Sequence, residues 1–332
     1  MYHISMVRGD GIGPELADAA RIALDRLGAG LEITDVDAGD GALKRTGSAL
    51  PAGSLEAIRS SDACLKAPVG ESAADVIVEL RRRLDLYANI RPARSQPGAG
   101  GLRDDIDLVI VRENTEDLYT GAEIDLGGAA VALRIVTEAA SERIARRACE
   151  IAAERGGRRR VTCVHKSNVM RISDGMFASA CARVAAGYDV EFEEMYVDAC
   201  AMNLVRRPEY FDVIVTTNMF GDILSDESSQ VAGGLGMAPA ANEGDSFAIF
   251  EPVHGAAFDI AGTGSANPSS FLLSAAMMCR WLGRRGGDAA CSAAGDRLER
   301  AVRGTVASGK RTRDIGGDLS TEGFARAVAD AL

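Results

Sequence analysis

The stretch FDVIVTTNMFGDILSD, residues 211–226, places the strongest constraint on how this chain can fold. The apolar and β-branched residues within Phe211–Val215 predict a buried strand. Thr216–Asn218 are residue types typical of turns and helix caps. A helix is expected from about Phe220 until Gly233-Gly234 ends it. A buried strand followed at once by a helix is typical of an α/β protein.

Two carboxylates mark this predicted helix. Asp222 and Asp226 lie four residues apart, so both project from the same helix face. Like charges at this spacing repel each other unless a cation lies between them. A solvated helix face is one interpretation of the pair. The other is a site for Mg²⁺ or Mn²⁺, because hard oxygen ligands suit these ions and ligand sites of α/β proteins form where a strand leads into a helix.

The composition limits the classes of partner. The chain has 332 residues, enough for two domains or one large α/β unit, and its 47% hydrophobic residues can fill a large core. The formal net charge of −11 disfavours nucleic acid and anionic membranes as partners. A small anionic substrate remains compatible with this charge wherever arginines cluster locally.

The cysteines and the first residues bear on the compartment. The seven cysteines are scattered, odd in number and without the paired spacing of a metal site, which predicts reduced thiols in a cytoplasm. Met1–Val7, followed at once by Arg8, is too short for the apolar region of a signal peptide. No apolar run reaches the length of a membrane span. We therefore expect a cytoplasmic protein.

A glycine loop near the start could hold a phosphate. Met1–Val7 predicts a strand, and the sequence GDGIGPE at Gly9–Glu15 leads into a helix that runs through Leu27. Such a loop either receives a phosphate or makes a tight turn. The fingerprint of dinucleotide-binding Rossmann domains requires a third glycine where Pro14 stands. The standard Rossmann interpretation is therefore disfavoured.

The next helix carries the first candidates for substrate binding. A capping box at Ser72–Asp75 predicts its start, and the helix is expected to run through about Leu86. Ile77 belongs to the predicted core stripe of this helix, whereas Val78 and Arg81 share an adjacent face. The two arginines that follow are expected to be solvated.

Arg81, Arg91 and Arg112 are candidates for a common anion site. Two of them lie where ordered elements are expected to end. The fork of a guanidinium group suits the carboxylates of a di- or tricarboxylate. The alternative is that they are three unrelated arginines at the surface.

Two further residues are candidates for proton transfer. Tyr119 stands among acidic residues in RENTEDLY and is either structural or a proton donor. Lys166 follows the predicted strand Val161–Val164. A lysine at the end of a buried strand is unfavourable unless it is paired or exchanges protons, so Lys166 is a candidate base. Asp198 ends another apolar strand in this interpretation, and the glycine-rich segment 251–268 is either an ordinary loop or wraps a nucleotide.

The chain resembles the metal-dependent, NAD(P)-linked β-decarboxylating dehydrogenases, which act on isopropylmalate, isocitrate, homoisocitrate or tartrate. The likeness runs from Gly9 to DIGGDLST near the C-terminus and is most similar to the archaeal-type isopropylmalate and the homoisocitrate dehydrogenases. It is carried by RRRLDLYANIRP, VIVRENTEDLY, HKSNVM, FDVIVTTNMFGDILSD and EPVHGAAFDIAGTGSANP. The implied fold is α/β, with a doubly wound nucleotide-binding domain (residues 1–89 and 234–332) and a central dimerisation domain (residues 90–233).

The resemblance implies the metal and proton-transfer residues. Asp222 and Asp226, together with Asp198 of the partner subunit, are expected to bind Mg²⁺ or Mn²⁺. Lys166 of the partner subunit is expected to take the proton of the 2-hydroxyl. Tyr119 is expected to protonate the enol after CO₂ leaves. The active sites would then be composite, in a homodimer or a larger assembly.

The resemblance also implies the substrate and cofactor contacts. Arg81, Arg91 and Arg112 are expected to clamp the malate carboxylates, and Asn89 to lie near the nicotinamide. The residues expected to bind the nucleotide are Glu251, His254, Gly255, Asp259, Ile260 and Asn267.

Charge at one position predicts which nucleotide binds. NADP-linked members tend to have a lysine at the position of Asp259, where it meets the 2′-phosphate. A carboxylate accepts hydrogen bonds from a free ribose 2′-hydroxyl and repels a phosphate, so NAD⁺ is expected. Phe258, in place of the usual proline, and Glu243, in place of an apolar residue, depart from the family pattern beside the nucleotide loop.

The expected substrate is 3-isopropylmalate. Ile77, Val78 and Val169 would form an apolar wall against which an isopropyl group gains roughly 1.5–3 kcal/mol, whereas an unpaired third carboxylate would be unfavourable by several kcal/mol. Isocitrate, homoisocitrate, 3-methylmalate, tartrate and a side-chain acid of secondary metabolism remain alternatives. An inactive regulatory subunit is disfavoured because Tyr119 and Lys166 are present, and a Rossmann-type 2-hydroxyacid dehydrogenase would need no metal.

Overall fold

The computed structural model describes residues 1–73 and 75–332, and within them the chain forms twelve β-strands and eleven α-helices. The strands are β1 (Tyr2–Val7), β2 (Leu31–Val36), β3 (Ala63–Lys66), β4 (Ala88–Arg94), β5 (Asp107–Glu113), β6 (Glu123–Asp125), β7 (Ala130–Ala132), β8 (Arg160–His165), β9 (Glu191–Tyr196), β10 (Val213–Thr216), β11 (Pro239–Glu243) and β12 (Ala248–Pro252). The helices are α1 (Gly13–Leu27), α2 (Asp40–Thr46), α3 (Ala52–Arg59), α4 (Asp75–Arg83), α5 (Glu138–Arg155), α6 (Ser173–Ala185), α7 (Val197–Arg206), α8 (Asn218–Ala232), α9 (Ser269–Gly286), α10 (Ala289–Ala307) and α11 (Thr321–Asp330).

One sheet runs through the whole molecule. Ten of the strands in the described part lie in the order β2-β1-β3-β12-β11-β4-β5-β10-β8-β9. Each outer group of four is parallel, whereas β11 is antiparallel to β12 and β4, and β4 is antiparallel to β5. Strands β6 and β7 form a separate antiparallel arm. The predicted α/β fold class is confirmed.

The register of the three antiparallel strands places polar residues in one row. Asn242 on β11 pairs with Asn89 on β4, which in turn pairs with Arg112 on β5. Residues that pair directly across strands project from the same face of a sheet. This row lies at the middle of the sheet, where its two parallel halves meet.

The predicted domain division cannot be read directly from the sheet. The predicted boundary at residues 89/90 lies within β4, and the sheet continues across it. Helices α1, α9, α10 and α11 pack on one another, as do α5 with α6 and α7 with α8. The division into 1–89 with 234–332 and 90–233 stays a prediction.

The strand–helix unit predicted to begin at Phe211 forms as expected. Strand β10 is fully buried and leads into α8, which begins two residues before the predicted start and has Gly233 as its C-cap. Gly221 lets α8 pack on β5, since a Cβ at this position would lie 2.6 Å from Cγ of Arg112. The close approach brings Asp222, the next residue, next to the same arginine.

Two predicted boundaries differ from the structure. Helix α4 ends at Arg83 instead of near Leu86, and Asp85 adopts a positive φ of 47° in the turn that follows. Asp198 lies in the first turn of α7 and not at the end of a strand. The predicted capping box at Ser72–Asp75 includes position 74 and so lies outside the described residues.

None of the helices in the described residues is both long enough and apolar enough to cross a membrane.

Candidate active site

Three arginines that are distant in the sequence meet at the middle of the sheet. Arg81 on α4, Arg91 on β4 and Arg112 on β5 are only 6%, 8% and 1% exposed. Burial, together with the charges of Arg91 and Arg81, lowers the pKa of Arg112 to about 10. The interpretation as unrelated surface arginines is therefore wrong. The cluster concentrates positive charge in a place where an anion would relieve the repulsion.

Asp222 is the carboxylate that faces this cluster. Its Oδ1 accepts a hydrogen bond from Nη1 of Arg112 and lies 3.1 Å from Nη1 of Arg91, and its Oδ2 accepts from Oη of Tyr119 at 2.5 Å. Burial opposes ionisation, but Arg112 and Arg91 outweigh it and lower the pKa of Asp222. Burial and the bond to Asp222 raise the pKa of Tyr119, so its hydroxyl keeps its proton. Tyr119 and the arginines thus share one carboxylate.

The guanidinium of Arg112 is only partly hydrogen-bonded by the residues that the structure describes. Its Nε donates to Asn218 at 2.9 Å, and its guanidinium lies 4.9 Å from the ring centre of Tyr119. Its Nη2 is buried and makes no hydrogen bond within the described part of the chain. A buried guanidinium donor without a partner is unfavourable. The arrangement therefore favours a ligand with a carboxylate at this position.

Asp226 lies one turn beyond Asp222 on α8 and is largely exposed. Its Oδ1 is 3.4 Å from Nη1 of Arg91. Partial burial raises the pKa of the Asp226 carboxyl. The positive charge of Arg91 opposes this rise, whereas the negative charge of Asp222 adds to the rise. Two carboxylates on one helix face, one of them incompletely compensated, fit a hard divalent cation. In a single chain no three His, Cys, Asp or Glu side chains of the described residues come together to hold a metal.

Lys166 and Asp198 form a second cluster. Nζ of Lys166 donates to Oδ1 of Asp198 at 2.5 Å and lies 5.6 Å from the ring centre of Tyr196. The bond to Lys166 lowers the pKa of Asp198. Among the residues that the structure describes, no hydrogen bond or ion pair connects Lys166 to Tyr119 or Asp222. Within one chain the structure does not bring the two predicted proton-transfer residues together.

Sequence reasoning missed Asn242, which organises the residues beneath the arginines. Its Oδ1 accepts from Nε of Arg81 at 2.9 Å, from Nδ2 of Asn89 at 2.7 Å and from Nδ2 of Asn114 at 3.0 Å. Asn89 in turn accepts from Nε of Arg91 at 2.7 Å. One amide oxygen thus fixes the guanidinium of Arg81 directly and that of Arg91 through Asn89. Only the pairing of β11 with β4 reveals this role, because the sequence around Asn242 resembles any polar strand end.

Glu251 lies inside this network. Its Oε2 accepts from Nζ of Lys66 at 2.8 Å, its Oε1 accepts from Nδ2 of Asn242 at 2.8 Å, and Nη2 of Arg81 lies 3.5 Å away. Burial by itself would raise the pKa of the Glu251 carboxyl. The positive charges of Lys66 and Arg81 outweigh burial and lower this pKa to about 2. Glu251 therefore holds Arg81 and Lys66 in this structure, and its predicted contact with the nucleotide stays a prediction.

Replacing Glu251 with glutamine is expected to destabilise the fold. Glu251→Gln leaves Lys66 buried without its counter-charge, which lowers the free energy of unfolding by about 3–5 kcal/mol. Glu79→Gln, which breaks an exposed ion pair with Arg83 on α4, is the control and should change it by less than about 1 kcal/mol. Urea unfolding at neutral pH measures both, and equal effects would contradict the prediction.

The same pair predicts a pH dependence. The carboxyl of Glu251 has a pKa of about 2 in the fold and about 4.5 ordinarily, so its contribution to stability is complete above pH 4.5 and is lost as the pH falls towards 2. The acid-induced loss should therefore be smaller in Glu251→Gln than in the native chain.

A cavity of about 500 Å³ opens beside the arginines. Its wall includes Ile77, Arg81 and Arg91, together with Lys66 and Phe258. Ile77 is only half-buried because it faces this cavity, whereas Val76, not Ile77, is fully buried with Leu80 in the core.

The other two residues of the predicted apolar wall lie elsewhere in the single chain. Val78 is half-buried but does not line the cavity, and Val169 is 68% exposed on the loop after Lys166. Arg82 and Arg83 are both exposed, as predicted. Each already has a partner, because Arg82 donates to the backbone oxygen of Tyr119 at 2.8 Å and Arg83 pairs with Glu79.

The predicted nucleotide loop lies between this cavity and another of about 390 Å³. The second cavity is lined by His254, Gly255, Ile260, Asn267 and Asp314, among others. Burial lowers the pKa of His254, so the ring is held neutral. Asn267 is buried and donates to Asp314 at 2.9 Å. The structure thus brings four predicted nucleotide residues to one wall.

Three residues near this loop lie apart from that wall. Asp259 is exposed on the short turn that precedes Ile260, and Phe258 beside it is 56% exposed. Glu243 pairs at 2.9 Å with Nη2 of Arg147 on α5. Alternation along β11 puts Glu243 on the face opposite to Asn242. Its departure from the family pattern therefore concerns the packing of α5.

Taken together, the arginine cluster, the carboxylate pair and the two adjoining cavities make up a candidate active site in an α/β protein, suited to a small acidic ligand. A sequence profile described as isocitrate/isopropylmalate dehydrogenase matches residues 3–328. The chain belongs to this family of dehydrogenases.

Curated relatives resemble this chain over its full length. The 3-isopropylmalate dehydrogenase of Sulfurisphaera tokodaii is 50% identical, with 100% of this chain and 99% of the relative covered. The isocitrate/homoisocitrate dehydrogenase of Thermus thermophilus is 46% identical, with 100% and 98% covered. Among solved structures, the isocitrate dehydrogenase from Methylococcus capsulatus superposes with a TM-score of 0.92 at 40% identity, covering 100% of this chain and 99% of that one.

Proposed function

We propose that the chain catalyses the NAD⁺-dependent oxidative β-decarboxylation of a 3-substituted (2R)-malate, and that the substrate is 3-isopropylmalate. The observation that carries the proposal is the buried arginine cluster around Asp222 and Tyr119, in which Nη2 of Arg112 makes no hydrogen bond to any residue that the structure describes. A malate has two carboxylates, and paired guanidinium forks are the groups that recognise them.

Each residue of the cluster has a role in this proposal. Arg81, Arg91 and Arg112 bind and orient the two carboxylates. Lys166 of the partner subunit removes the proton of the 2-hydroxyl during oxidation at C2. The loss of CO₂ then leaves an enol, and Tyr119 donates its proton to C3. The position of its hydroxyl supports this assignment, since Tyr119 donates to Asp222 at 2.5 Å beside the arginine cluster.

The cofactors in the proposal are NAD⁺ and Mg²⁺ or Mn²⁺. Bound together, they would accept the hydride from C2 and stabilise negative charge on the C2 oxygen. Asp222 and Asp226 would hold the metal with Asp198 of the partner subunit. The walls that carry His254 and Asn267 would hold the nucleotide, and Asn89 would lie near its nicotinamide.

The cavity wall supports 3-isopropylmalate. Ile77 and Phe258 offer apolar surface, and burial of an isopropyl group there is favourable by roughly 1.5–3 kcal/mol. Arg82 and Arg83 already have partners and do not line the cavity among the described residues. The full-length relative from Sulfurisphaera tokodaii with this named activity is consistent with the choice.

Homoisocitrate is the second candidate, because Lys66 also lines the cavity. The buried ammonium group of this lysine could pair with a third carboxylate. The relative from Thermus thermophilus is named as a dehydrogenase of isocitrate and homoisocitrate, which carry such a carboxylate. Glu251 already neutralises Lys66 at 2.8 Å, however, which favours the uncharged substituent.

A substrate panel tests the proposal. We expect kcat/KM with NAD⁺ and Mg²⁺ to be at least about 10-fold higher for 3-isopropylmalate than for 3-methylmalate, isocitrate, homoisocitrate or tartrate. Burial of the two methyl groups that 3-isopropylmalate has beyond 3-methylmalate supports a ratio of this size. EDTA should abolish the activity, and added Mg²⁺ or Mn²⁺ should restore it. A higher kcat/KM for homoisocitrate would shift the assignment to the second candidate, and activity that persists in EDTA would contradict the reaction class.

The choice of nucleotide has its own prediction. Because the exposed carboxylate of Asp259 repels a 2′-phosphate, KM for NADP⁺ should exceed that for NAD⁺ by roughly 10-fold or more, equivalent to ~1.4 kcal/mol. Asp259→Lys should lower the ratio of KM for NADP⁺ to KM for NAD⁺, or reverse the preference for NAD⁺. Asp189→Lys, the same charge change at a side chain that is 93% exposed and paired with Arg159, is the control and should leave the ratio unchanged. A lower KM for NADP⁺ in the native chain would contradict the prediction.

The proposal includes a homodimer with composite sites in the cytoplasm. Helices α7 and α8 pack together and expose Met202, Val205 and Ile223 to between 54% and 66%, next to Asp222 and Asp226. A second copy that covers this surface could bring its own Lys166 and Asp198 to the site. The seven cysteines of the described chain are free, as a reducing compartment would keep them.

A further inference from the structure

A buried ion-pair group outside the arginine cluster connects the two candidate proton-transfer residues. Arg134 follows the β6–β7 arm and donates from Nε to Oδ1 of Asp117 at 2.7 Å. Its Nη1 donates to Oδ1 of Asp174, and its Nη2 donates to Thr217 at 2.9 Å. Asp117 and Asp174 are 1% and 0% exposed, so one guanidinium compensates two buried carboxylates. We call Arg134, Asp117 and Asp174 the Arg134 triad.

The Asp117 end of the triad fixes the turn that carries Tyr119. Asp117 has a positive φ of 69°, and its Oδ1 accepts from the backbone N–H of Leu118 at 3.0 Å. Its Oδ2 accepts at 3.0 Å from the backbone N–H of Met219, in the first turn of α8. The same carboxylate therefore fixes both the turn of Tyr119 and the start of the helix that presents Asp222.

The Asp174 end of the triad fixes the loop that carries Lys166. Asp174 lies in the first turn of α6, and its Oδ2 accepts from the backbone N–H of Lys166 at 2.6 Å. Arg134 also approaches Ser173 at 3.4 Å on the same turn. The position of the Lys166 backbone thus depends on a carboxylate whose other oxygen is bound by Arg134.

We propose that Arg134 is a positioning residue that sets Tyr119 and Lys166 at the same time. The inference rests on the proposed function, in which Tyr119 serves its own active site and Lys166 serves that of the partner subunit. Each Arg134 then acts on both active sites of the dimer, one through Asp117 and the other through Asp174. The triad thus provides a physical connection between the sites within a single chain.

Single substitutions test the positioning role. Arg134→Met removes the hydrogen bonds to Asp117, Asp174 and Thr217, whereas Arg134→Lys keeps the charge but cannot reach all three of these partners. A displacement of about 1 Å at a reacting group lowers turnover by about 10²-fold, so we expect kcat to fall by roughly this factor while KM for the substrate changes less than about 2-fold, because the arginine cluster is intact. Arg183→Met is the control, since Arg183 also pairs with two carboxylates, Glu138 and Glu142, but is exposed. A variant that folds and keeps the native kcat would overturn the inference.

A hybrid dimer distinguishes a double role from a single one. Two differently tagged chains are co-expressed, one native and one with Arg134→Met, and the mixed dimer is isolated. If Arg134 sets both residues, one site has a misplaced Tyr119 and the other a misplaced Lys166, so the activity should fall far below half of the native value, to a few per cent. If it sets only one of them, one site stays intact and half of the activity remains, which overturns the inference. Should Arg134→Met not fold, Arg134→Lys is used in the same way.

A complementation hybrid separates failure of this inference from failure of the composite site. A dimer of one Tyr119→Phe chain and one Lys166→Ala chain has one site with both residues intact if the sites are composite, and should recover about half of the native activity. If this hybrid recovers activity while the hybrid with one Arg134→Met chain keeps half of the native activity, only the role of Arg134 is overturned. No recovery in a correctly assembled hybrid overturns the composite site and the inference with it.

Discussion

Replacing Lys166 with alanine is expected to lower kcat by about 10²–10⁴-fold while KM for the substrate changes little, since the arginine cluster remains. Lys166→Arg should be equally inactive. A guanidinium keeps the positive charge beside Asp198 but cannot give up a proton to become a base. If the charge alone were required, Lys166→Arg would retain turnover, so the two variants together separate proton removal from electrostatic support.

The reaction step at which the Lys166 variants stop can also be measured. Proton removal from the 2-hydroxyl accompanies oxidation, so the Lys166 variants should show no rapid burst of NADH when mixed with substrate and NAD⁺. The control is Lys310→Ala, at an exposed lysine of the chain. Native turnover of either Lys166 variant would contradict the assignment.

Tyr119→Phe is expected to lower kcat by a similar factor, about 10²–10⁴-fold. The substitution removes the hydroxyl that donates to Asp222 at 2.5 Å and leaves the ring beside Arg112. In this variant oxidation at C2 remains possible and protonation at C3 becomes slow. A burst of NADH that approaches one equivalent per site should therefore precede slow turnover.

Tyr210→Phe is a matched control for this variant. The hydroxyl of Tyr210 also donates to a carboxylate, Glu193, at 2.7 Å, but outside the arginine cluster. It should keep the native kcat. A Tyr119→Phe chain with native turnover, or one that lacks the burst and has lost substrate binding, would contradict the role of Tyr119 as the proton donor.

The local part of the fold could be predicted from the sequence because its signals are local. The β-branched strand before Thr216 and the glycine after α8 defined one strand–helix unit to within two residues. Strand ends, glycines and apolar periodicity act over a few residues, so they can be recognised without knowing what packs against them.

The antiparallel centre of the sheet could not be predicted in this way. Strand β11 lies between β12 and β4, and its pairing with Asn89 depends on a segment far earlier in the chain, since the side-chain bond from Asn89 to Asn242 spans 153 residues. The same holds for Arg134, whose partners Asp117, Asp174 and Thr217 lie 17, 40 and 83 residues away. Networks of this kind are set by tertiary packing, which no local pattern records. The predicted apolar wall differs for a similar reason, because Val169 lies on a loop and is 68% exposed, away from Ile77 in the single chain.

The ion pair between Lys66 and Glu251 joins residues that are 185 positions apart, and the strands on which they lie are neighbours in the sheet. During translation β1, β2 and β3 leave the ribosome long before β12 is made, whereas β5, β8, β9 and β10 can assemble among themselves. The nascent chain must therefore carry an unpaired edge on β3, ending in a lysine without its counter-ion, through most of its synthesis. Such an edge invites pairing with other chains, so newly made protein should depend more on molecular chaperones than the folded protein does.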